Sequence, residues 1–181
     1  FWNEPGLRRS LDKIYEIIVY SLFSSIVDEL DVNIEISFNP SKIAVLKEFE
    51  TFADKVICIN SKKNIYRSKA NINRVGVTNA ADRGLDMWAN FGPAIQIKHL
   101  SLDEKLAKDI VSTVTSDRIV IVCKDSDENV IKSLLNQLGW KLRIQSIITE
   151  SELVEWYEKA LKGKFSNVIG EKLLSSISDE L

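Results

Sequence analysis

The sequence contains few of the residues on which zinc and disulfide chemistry depend. Its 181 residues include one histidine, His99, and two cysteines, Cys58 and Cys123. A zinc site of the histidine and cysteine type is nearly excluded, because such sites need several of these ligands. Each cysteine lies in an apolar run, which predicts two buried free thiols. A reducing cytoplasm is therefore the expected compartment.

Signals for secretion and membrane insertion are missing as well. The apolar stretch from Ile14 to Val27 is interrupted by Glu16 and is too short to span a bilayer. No signal-peptide pattern is present, and we expect no membrane partner. The only methionine is Met87, so we expect Phe1 to lie within a longer protein, of which this chain is the C-terminal part.

Charge and length point to an ordinary globular domain. The net charge is −2, and 45% of the residues are hydrophobic. We expect one α/β domain over residues 1–181. Residues 61–83 differ from the rest, since they hold six basic residues and one acidic residue, a local charge of +5. We interpret them as a loop with a short strand near residues 74–78. Such a basic loop suits contact with nucleic-acid phosphates, although charged loops are often merely solvated.

Apolar periodicity predicts the elements of the first half. A helix is expected over residues 7–30 and a strand over residues 31–38. A second helix should run from Pro40 to about Ala53 with its aromatic residues directed inward, followed by a buried strand from Lys55 to Asn60.

Helix caps and apolar runs organise the second half. Ser101 and Thr149 each begin a capping box and so predict the start of a helix. Further helices are expected over residues 127–138 and 166–181, and buried strands over residues 118–124 and 141–148. This order predicts an α/β fold with a mixed sheet, helices on both faces, and parallel pairing in the second half.

A predicted hairpin in the middle of the chain carries the candidate chemistry. One strand carries Asp86 and the other carries Gln96 and Lys98, which share a face because side chains alternate along a strand. Pairing of the strands would bring Asp86 near both. A carboxylate, an amide oxygen and an ammonium group together suit metal-dependent phosphodiester hydrolysis. The spacing alone is a weak signal, and an ordinary exposed hairpin is the competing interpretation.

Each polar residue of the hairpin has an expected role. Asp86 is the first candidate ligand for Mg²⁺, with the Gln96 amide oxygen and the Ile97 carbonyl as further oxygen ligands. Lys98 could contact the attacking water or the phosphate. Asp82 is a second candidate acid, and the choice between it and Asp86 stays open. His99 lies on the opposite strand face from Lys98 and is expected to make an outer or phosphate contact.

The run from Asp82 to Leu100, with Gly84-Leu85-Asp86 followed by Gln96-Ile97-Lys98, resembles the PD-(D/E)XK nuclease core in its Gln-x-Lys variant, also seen in Mrr-like nucleases. More particularly, Asn90-Phe91-Gly92-Pro93 together with Gln96, Lys98 and His99 resembles type II restriction endonucleases of the HaeII kind. The similarity covers about twenty residues. Two positions depart from the pattern, because Ala81 replaces the proline of the motif and Gln96 carries no charge.

The resemblance implies a restriction-endonuclease-like core and a Mg²⁺-dependent enzyme that cuts double-stranded DNA at a short site. Such enzymes usually act as homodimers on palindromic sites. A non-catalytic DNA-binding or dimerisation module of the same kind of protein is the alternative, and a small-molecule α/β enzyme is disfavoured because no phosphate loop or nucleophile elbow follows a predicted strand. The residues then expected to contact DNA are Lys62, Lys63, Arg67, Lys69, Arg74, Asn79, Arg83 and Asn90.

Overall fold

The computed structural model describes residues 5–75, 85–114, 116–124 and 143–181. The chain divides into two compact units, one formed by Phe1–Leu30 with Asn71–Leu181 and the other by Asp31–Ala70. The helix expected over residues 127–138 lies outside the described residues, as does most of the strand expected near residues 74–78.

The described helices and strands follow one another in a mostly alternating order. In chain order they are α1 (Pro5–Glu29), β1 (Asn33–Ser37), α2 (Ile43–Glu48), α3 (Glu50–Phe52), β2 (Ile65–Lys69), β3 (Ile72–Arg74), β4 (Met87–Ala89), β5 (Ala94–Ser101), α4 (Glu104–Thr113), β6 (Ile119–Lys124), β7 (Ile144–Thr149), α5 (Glu150–Lys162) and α6 (Ser166–Glu180).

The larger unit is organised around a five-stranded mixed sheet with the strand order β3-β4-β5-β6-β7. The β3–β4 and β4–β5 pairs are antiparallel, whereas β5, β6 and β7 run parallel. Strand β6 lies between β5 and β7 and its first five residues are buried, as expected for a strand covered on both faces. The predicted parallel pairing in the second half is confirmed.

Helices cover both faces of this sheet. On one face, Ile95 and Ile97 of β5 pack in a cluster with Leu22 of α1, Leu153 of α5 and Leu173 of α6. On the other face, Ala94 of β5 and Ile119 and Ile121 of β6 pack against α4. The helix contributes Ala107 and Ile110 to this cluster. The predicted α/β class, a mixed sheet between two helical layers, is confirmed. Across the described part of the chain, no helix has the length and apolar character needed to cross a membrane.

The predicted hairpin is present as β4 and β5, but Asp86 was expected on the first strand and lies one residue before it, because β4 begins at Met87. Its turn is closed by a hydrogen bond from the Ala89 N–H to the Pro93 carbonyl at 2.9 Å. Gly92 has φ +121°, a backbone conformation that side chains disfavour. Asn90 Oδ1 accepts a hydrogen bond from the Asn71 N–H at 2.9 Å and so ties the turn to the start of β3. Local turn chemistry therefore fixes the hairpin, as expected.

The two predicted capping boxes had different outcomes. Thr149 and Glu152 form the reciprocal box at the start of α5. The box at Ser101 is wrong, because Ser101 is still in β5. Asp103 is the N-cap of α4 instead and accepts a hydrogen bond from the Leu106 N–H at 2.7 Å. The longer strand displaces the helix start by two residues.

The smaller unit departs most from the sequence expectations. Its two strands, β1 and β2, form an antiparallel pair, and β2 lies where a loop was expected. The second helix is divided into short pieces, and Phe49 and Phe52 are exposed. The strand expected over residues 55–60 is wrong, since residues 53–57 form a π-helical turn. Cys58 follows with φ +63° and is exposed, so its predicted burial is wrong, whereas Cys123 is buried.

Candidate functional site

The site is centred on the Asp86 carboxylate, immediately before β4. Asp86 Oδ2 accepts hydrogen bonds from the Ile97 N–H at 2.6 Å and from Gln96 Nε2 at 2.5 Å. A strand N–H normally finds its acceptor in a carbonyl of the neighbouring strand. Here the side chain of Asp86 supplies that acceptor. The carboxylate is therefore held at the edge of β5 where β4 has not yet begun.

Strand register explains how the hairpin brings these residues together. Met87 is paired with Ile95, so Asp86 lies beside Gln96. Gln96 is only 1% exposed, although it is polar. Lys98 is two residues further along the same strand face and is half-buried. The predicted proximity of Asp86 and Gln96 is thus observed as a direct contact, and Lys98 acts on Asp86 through its charge.

The Asp86 carboxyl has an altered acidity. Burial raises its pKa to about 6, while the Ile97 N–H and the Lys98 charge lower it, and the charge of Asp12 raises it. With this pKa the carboxylate is ionised near neutral pH. The two N–H donors and the charge of Lys98 offset only part of its negative charge. This is the electrostatic state of a group that can bind a cation.

Glu16, on α1, is a site residue that the sequence interpretation did not identify. Burial, and after it the charge of Asp86, raise the pKa of its carboxyl to about 7 against the opposing effect of Arg74 and Lys98. The charge of Asp12, one helical turn earlier on α1, also raises the pKa of Glu16. A carboxyl group of α1 therefore faces the Asp86 site. The available signal was an acidic residue that interrupts an apolar helix.

The predicted DNA contacts Arg74 and Asn90 have structural partners in the larger unit. Arg74 forms a part-buried ion pair with Glu180 at the end of α6. Its Nη1 is buried and donates to none of the described residues. Asn90 holds the hairpin turn through Asn71. Both contacts stabilise the sheet around the site.

Four other predicted DNA contacts lie in the smaller unit, on its exposed surface. Asn60 Oδ1 accepts hydrogen bonds from the backbone N–H groups of Lys62 and Lys63 at 3.0 and 2.7 Å, and this fixes the turn that presents both lysines. Arg67 Nε lies 2.9 Å from Glu35 Oε2 of β1. Lys69 Nζ lies 3.8 Å from Asp31 Oδ1. Exposed pairs of this kind are weak and can exchange for phosphate.

The oxygen donors at the site fit a hard cation. The Asp86 carboxylate and the neutral amide of Gln96 are in contact, and burial is the main cause of the raised pKa values of Asp86 and Glu16. Carboxylate and carbonyl oxygens are the donors that Mg²⁺ prefers. Among the described residues, no three acidic, histidine or cysteine side chains form a metal cluster.

Four sequence predictions fall partly or wholly outside the described residues. Asp82, Asn79 and Arg83 lie in the undescribed range 76–84. For His99, the backbone belongs to β5 and the side chain is not described. The choice between Asp82 and Asp86 as the leading acid therefore stays a prediction.

Comparison with known proteins identifies the family. The chain is 60% identical over 181 residues to "Type II restriction enzyme HaeII" of Haemophilus aegyptius and 56% identical over 181 residues to "Type II restriction enzyme NgoBI" of Neisseria gonorrhoeae. Each alignment covers 100% of this chain and 51% of the relative, so the chain spans about half the length of these relatives. No solved structure matches the chain at a significant level. The sequence model of the HaeII restriction endonuclease family matches residues 1–181, and the chain belongs to that family.

Proposed function

We propose that this chain carries the hydrolytic centre of a type II restriction enzyme, a Mg²⁺-dependent endonuclease that cuts double-stranded DNA at a specific site. The observation that carries this proposal is the contact of the Asp86 carboxylate with Gln96 and Ile97, beside the charge of Lys98. The two relatives are named as type II restriction enzymes, which supports the same activity for the protein that contains this chain.

Asp86 would hold the cation, with the Gln96 amide oxygen and the Ile97 carbonyl as neutral oxygen ligands. Within a strand, the N–H and carbonyl of one residue point to the same neighbour. The Ile97 N–H reaches Asp86, so its carbonyl is expected on that side too. Bound Mg²⁺ supplies positive charge for the scissile phosphate and acidifies a water.

Lys98 would stabilise the negative charge that develops on the phosphate as water attacks. Its position on β5, two residues after Gln96, keeps its ammonium group at the same end of the hairpin. Glu16 would receive a proton or orient the water, because its raised pKa places its titration near neutral pH. His99 is proposed to contact a phosphate, and Asp82 is a second acid for the site.

Recognition of DNA would use the basic surface residues. We propose phosphate and base contacts by Lys62, Lys63, Arg67, Lys69, Arg74, Asn79, Arg83 and Asn90. The smaller unit carries seven basic and five acidic residues, a net charge of +2, whereas the whole chain has −2. A homodimer acting on a palindromic site, in the cytoplasm, completes the proposal.

The second candidate function is a non-catalytic DNA-binding or dimerisation module. The exposed basic side chains of the smaller unit favour DNA binding whether or not the chain cuts. The two candidates differ only in the role of the Asp86 site. In a binding module, loss of the Asp86 carboxylate would leave the activity of the complete protein intact.

Plasmid cleavage with and without Mg²⁺ distinguishes the two functions. The assay compares wild type with Asp86→Ala and Lys98→Ala, in this chain and in a protein of the length of its relatives. We expect discrete fragments from wild type and a loss of roughly a hundredfold or more in each variant. Matched controls on exposed helix positions, Glu171→Ala and Lys105→Ala, should cut normally. Full activity of Asp86→Ala would refute the proposed site.

A further inference from the structure

Gln96 stands where the general nuclease motif has a charged residue, and it contacts the Asp86 carboxylate directly. Its amide nitrogen lies 2.5 Å from Asp86 Oδ2, and that oxygen also accepts the Ile97 N–H at 2.6 Å. Gln96 itself is 1% exposed, so solvent cannot satisfy its amide. Two N–H donors from adjacent residues of β5 thus converge on one carboxylate oxygen.

The chemistry of the two groups determines the orientation of the amide. An ionised carboxylate accepts hydrogen bonds and cannot donate them. Gln96 must therefore present its NH₂ group to Asp86, since the reverse orientation would oppose two oxygens at hydrogen-bond distance. The amide oxygen is then directed away from Asp86 and remains suited to a cation or to its water shell.

We propose that Gln96 is a positioning residue, which holds the Asp86 carboxylate by hydrogen-bond donation and does so in a way that glutamate at position 96 could not. The inference rests on the proposed endonuclease function for its catalytic consequence, but the hydrogen bond itself does not. One amide can donate to Asp86 and offer an oxygen on its other side. A carboxylate offers only acceptors when ionised.

A glutamate at this position would change the site in a specific way. Two ionised carboxylate oxygens within about 3 Å repel strongly in the metal-free protein, and a cation between them would still leave Asp86 without the hydrogen bond that Gln96 donates. Asp86 would have to turn away from residue 96, and this would disturb its contact with the Ile97 N–H. Gln96→Glu, which restores the charged residue of the general nuclease motif, is therefore expected to impair the enzyme.

The cleavage test compares Gln96→Glu with wild type over a range of Mg²⁺ concentrations. Loss of a residue that orients a metal ligand typically costs about 10–100-fold, and we expect that loss even at saturating Mg²⁺. The matched control is Gln145→Glu, the same change at an exposed position of β7 in the same sheet, which should cut normally. Normal cutting by Gln96→Glu, or half-maximal cutting at lower Mg²⁺, would overturn the inference.

A second measurement uses metal-free protein and needs no cleavage. Nuclear magnetic resonance of the side-chain amide of Gln96, with a chelator present, should show one proton shifted downfield by the Asp86 carboxylate. Asp86→Asn, which keeps the shape but removes the charge, should move this resonance back toward its usual position. The inference would be overturned if the Gln96 amide protons have ordinary chemical shifts and Asp86→Asn leaves those shifts unchanged.

The two arms separate failure of the inference from failure of the proposed function. If wild type does not cut, or if Asp86→Ala cuts normally, the proposed function fails and the resonance arm still decides the role of Gln96. If Asp86→Ala is inactive while Gln96→Glu is fully active, the function stands and the inference is wrong.

Discussion

Substitution of Glu16 should change how the stability of the metal-free protein depends on pH. Burial and the charge of Asp86 raise the pKa of the Glu16 carboxyl from 4.5 to about 7. The folded state consequently holds this proton more tightly than the unfolded state does. The stabilisation is complete below pH 4.5 and is lost as the pH rises through about 7. Glu16→Gln, which cannot ionise, should remove this dependence.

The size of the effect follows from the pKa and the exposure of the side chain. A rise from 4.5 to about 7 corresponds to at most about 3.5 kcal/mol, at roughly 1.4 kcal/mol for each tenfold change in acidity. Glu16 is only half-buried, so solvent screening reduces the expected difference to about 1–2 kcal/mol. For a chain of this length, each kcal/mol changes the melting temperature by about 2–4 °C.

Thermal unfolding with a chelator present, at pH 4.5 and at pH 8, measures this difference. Glu16→Gln should melt about 2–8 °C above wild type at pH 8 and close to it at pH 4.5. Glu171→Gln, an exposed change on α6, should match wild type at both values. The electrostatic account of the site is refuted if Glu16→Gln gives no gain at pH 8, or the same gain at both pH values.

Two further predictions concern DNA binding and the hairpin. Neutralising Lys62, Lys63 and Arg67 together should weaken DNA binding and reduce the slope of log affinity against log salt by roughly 3, measured by fluorescence anisotropy. As a matched control, neutralising Lys159, Lys162 and Lys164, on α5 and just after it, should leave the slope unchanged. Equal slopes for the two triple variants would contradict a role of Lys62, Lys63 and Arg67 in DNA binding. Gly92→Ala should cost about 1–3 kcal/mol, because Gly92 has φ +121° and an added Cβ would lie 2.1 Å from Arg118 Nη2. An unaltered melting temperature would contradict this account of the turn.

Local signals made β6 and the start of α5 predictable from the sequence. The Thr149 capping box and the apolar run of β6 each depend on a few adjacent residues. The smaller unit failed for a different reason. Helical spacing predicted that Phe49 and Phe52 face a core, but this unit of residues 31–70 buries a cluster of only Leu46, Ala53 and Ile59. A segment this short encloses little volume, so periodicity does not ensure burial.

The candidate site was predictable only where its residues are neighbours in the hairpin. Asp86 and Gln96 are ten positions apart, and the turn between them fixes their register. Glu16 lies seventy positions before Asp86, and its approach depends on how α1 packs on the sheet. No spacing rule within the sequence relates the two. The acidic residue inside an apolar helix was a visible signal, but the sequence does not give its neighbours.

The position of Asp86 in the plane of the sheet explains why both kinds of residue act on it. Ile95 and Ile97 face α1, so Gln96 and Lys98 face the opposite layer. The Asp86 carboxylate lies beside the backbone of β5, because it accepts the Ile97 N–H where a carbonyl of β4 would otherwise do so. Glu16 can therefore influence it from the α1 side while Gln96 and Lys98 act from the strand. A carbonyl of β4 in this place would carry no full charge, so the start of β4 at Met87 is what leaves this edge of β5 with a charged acceptor.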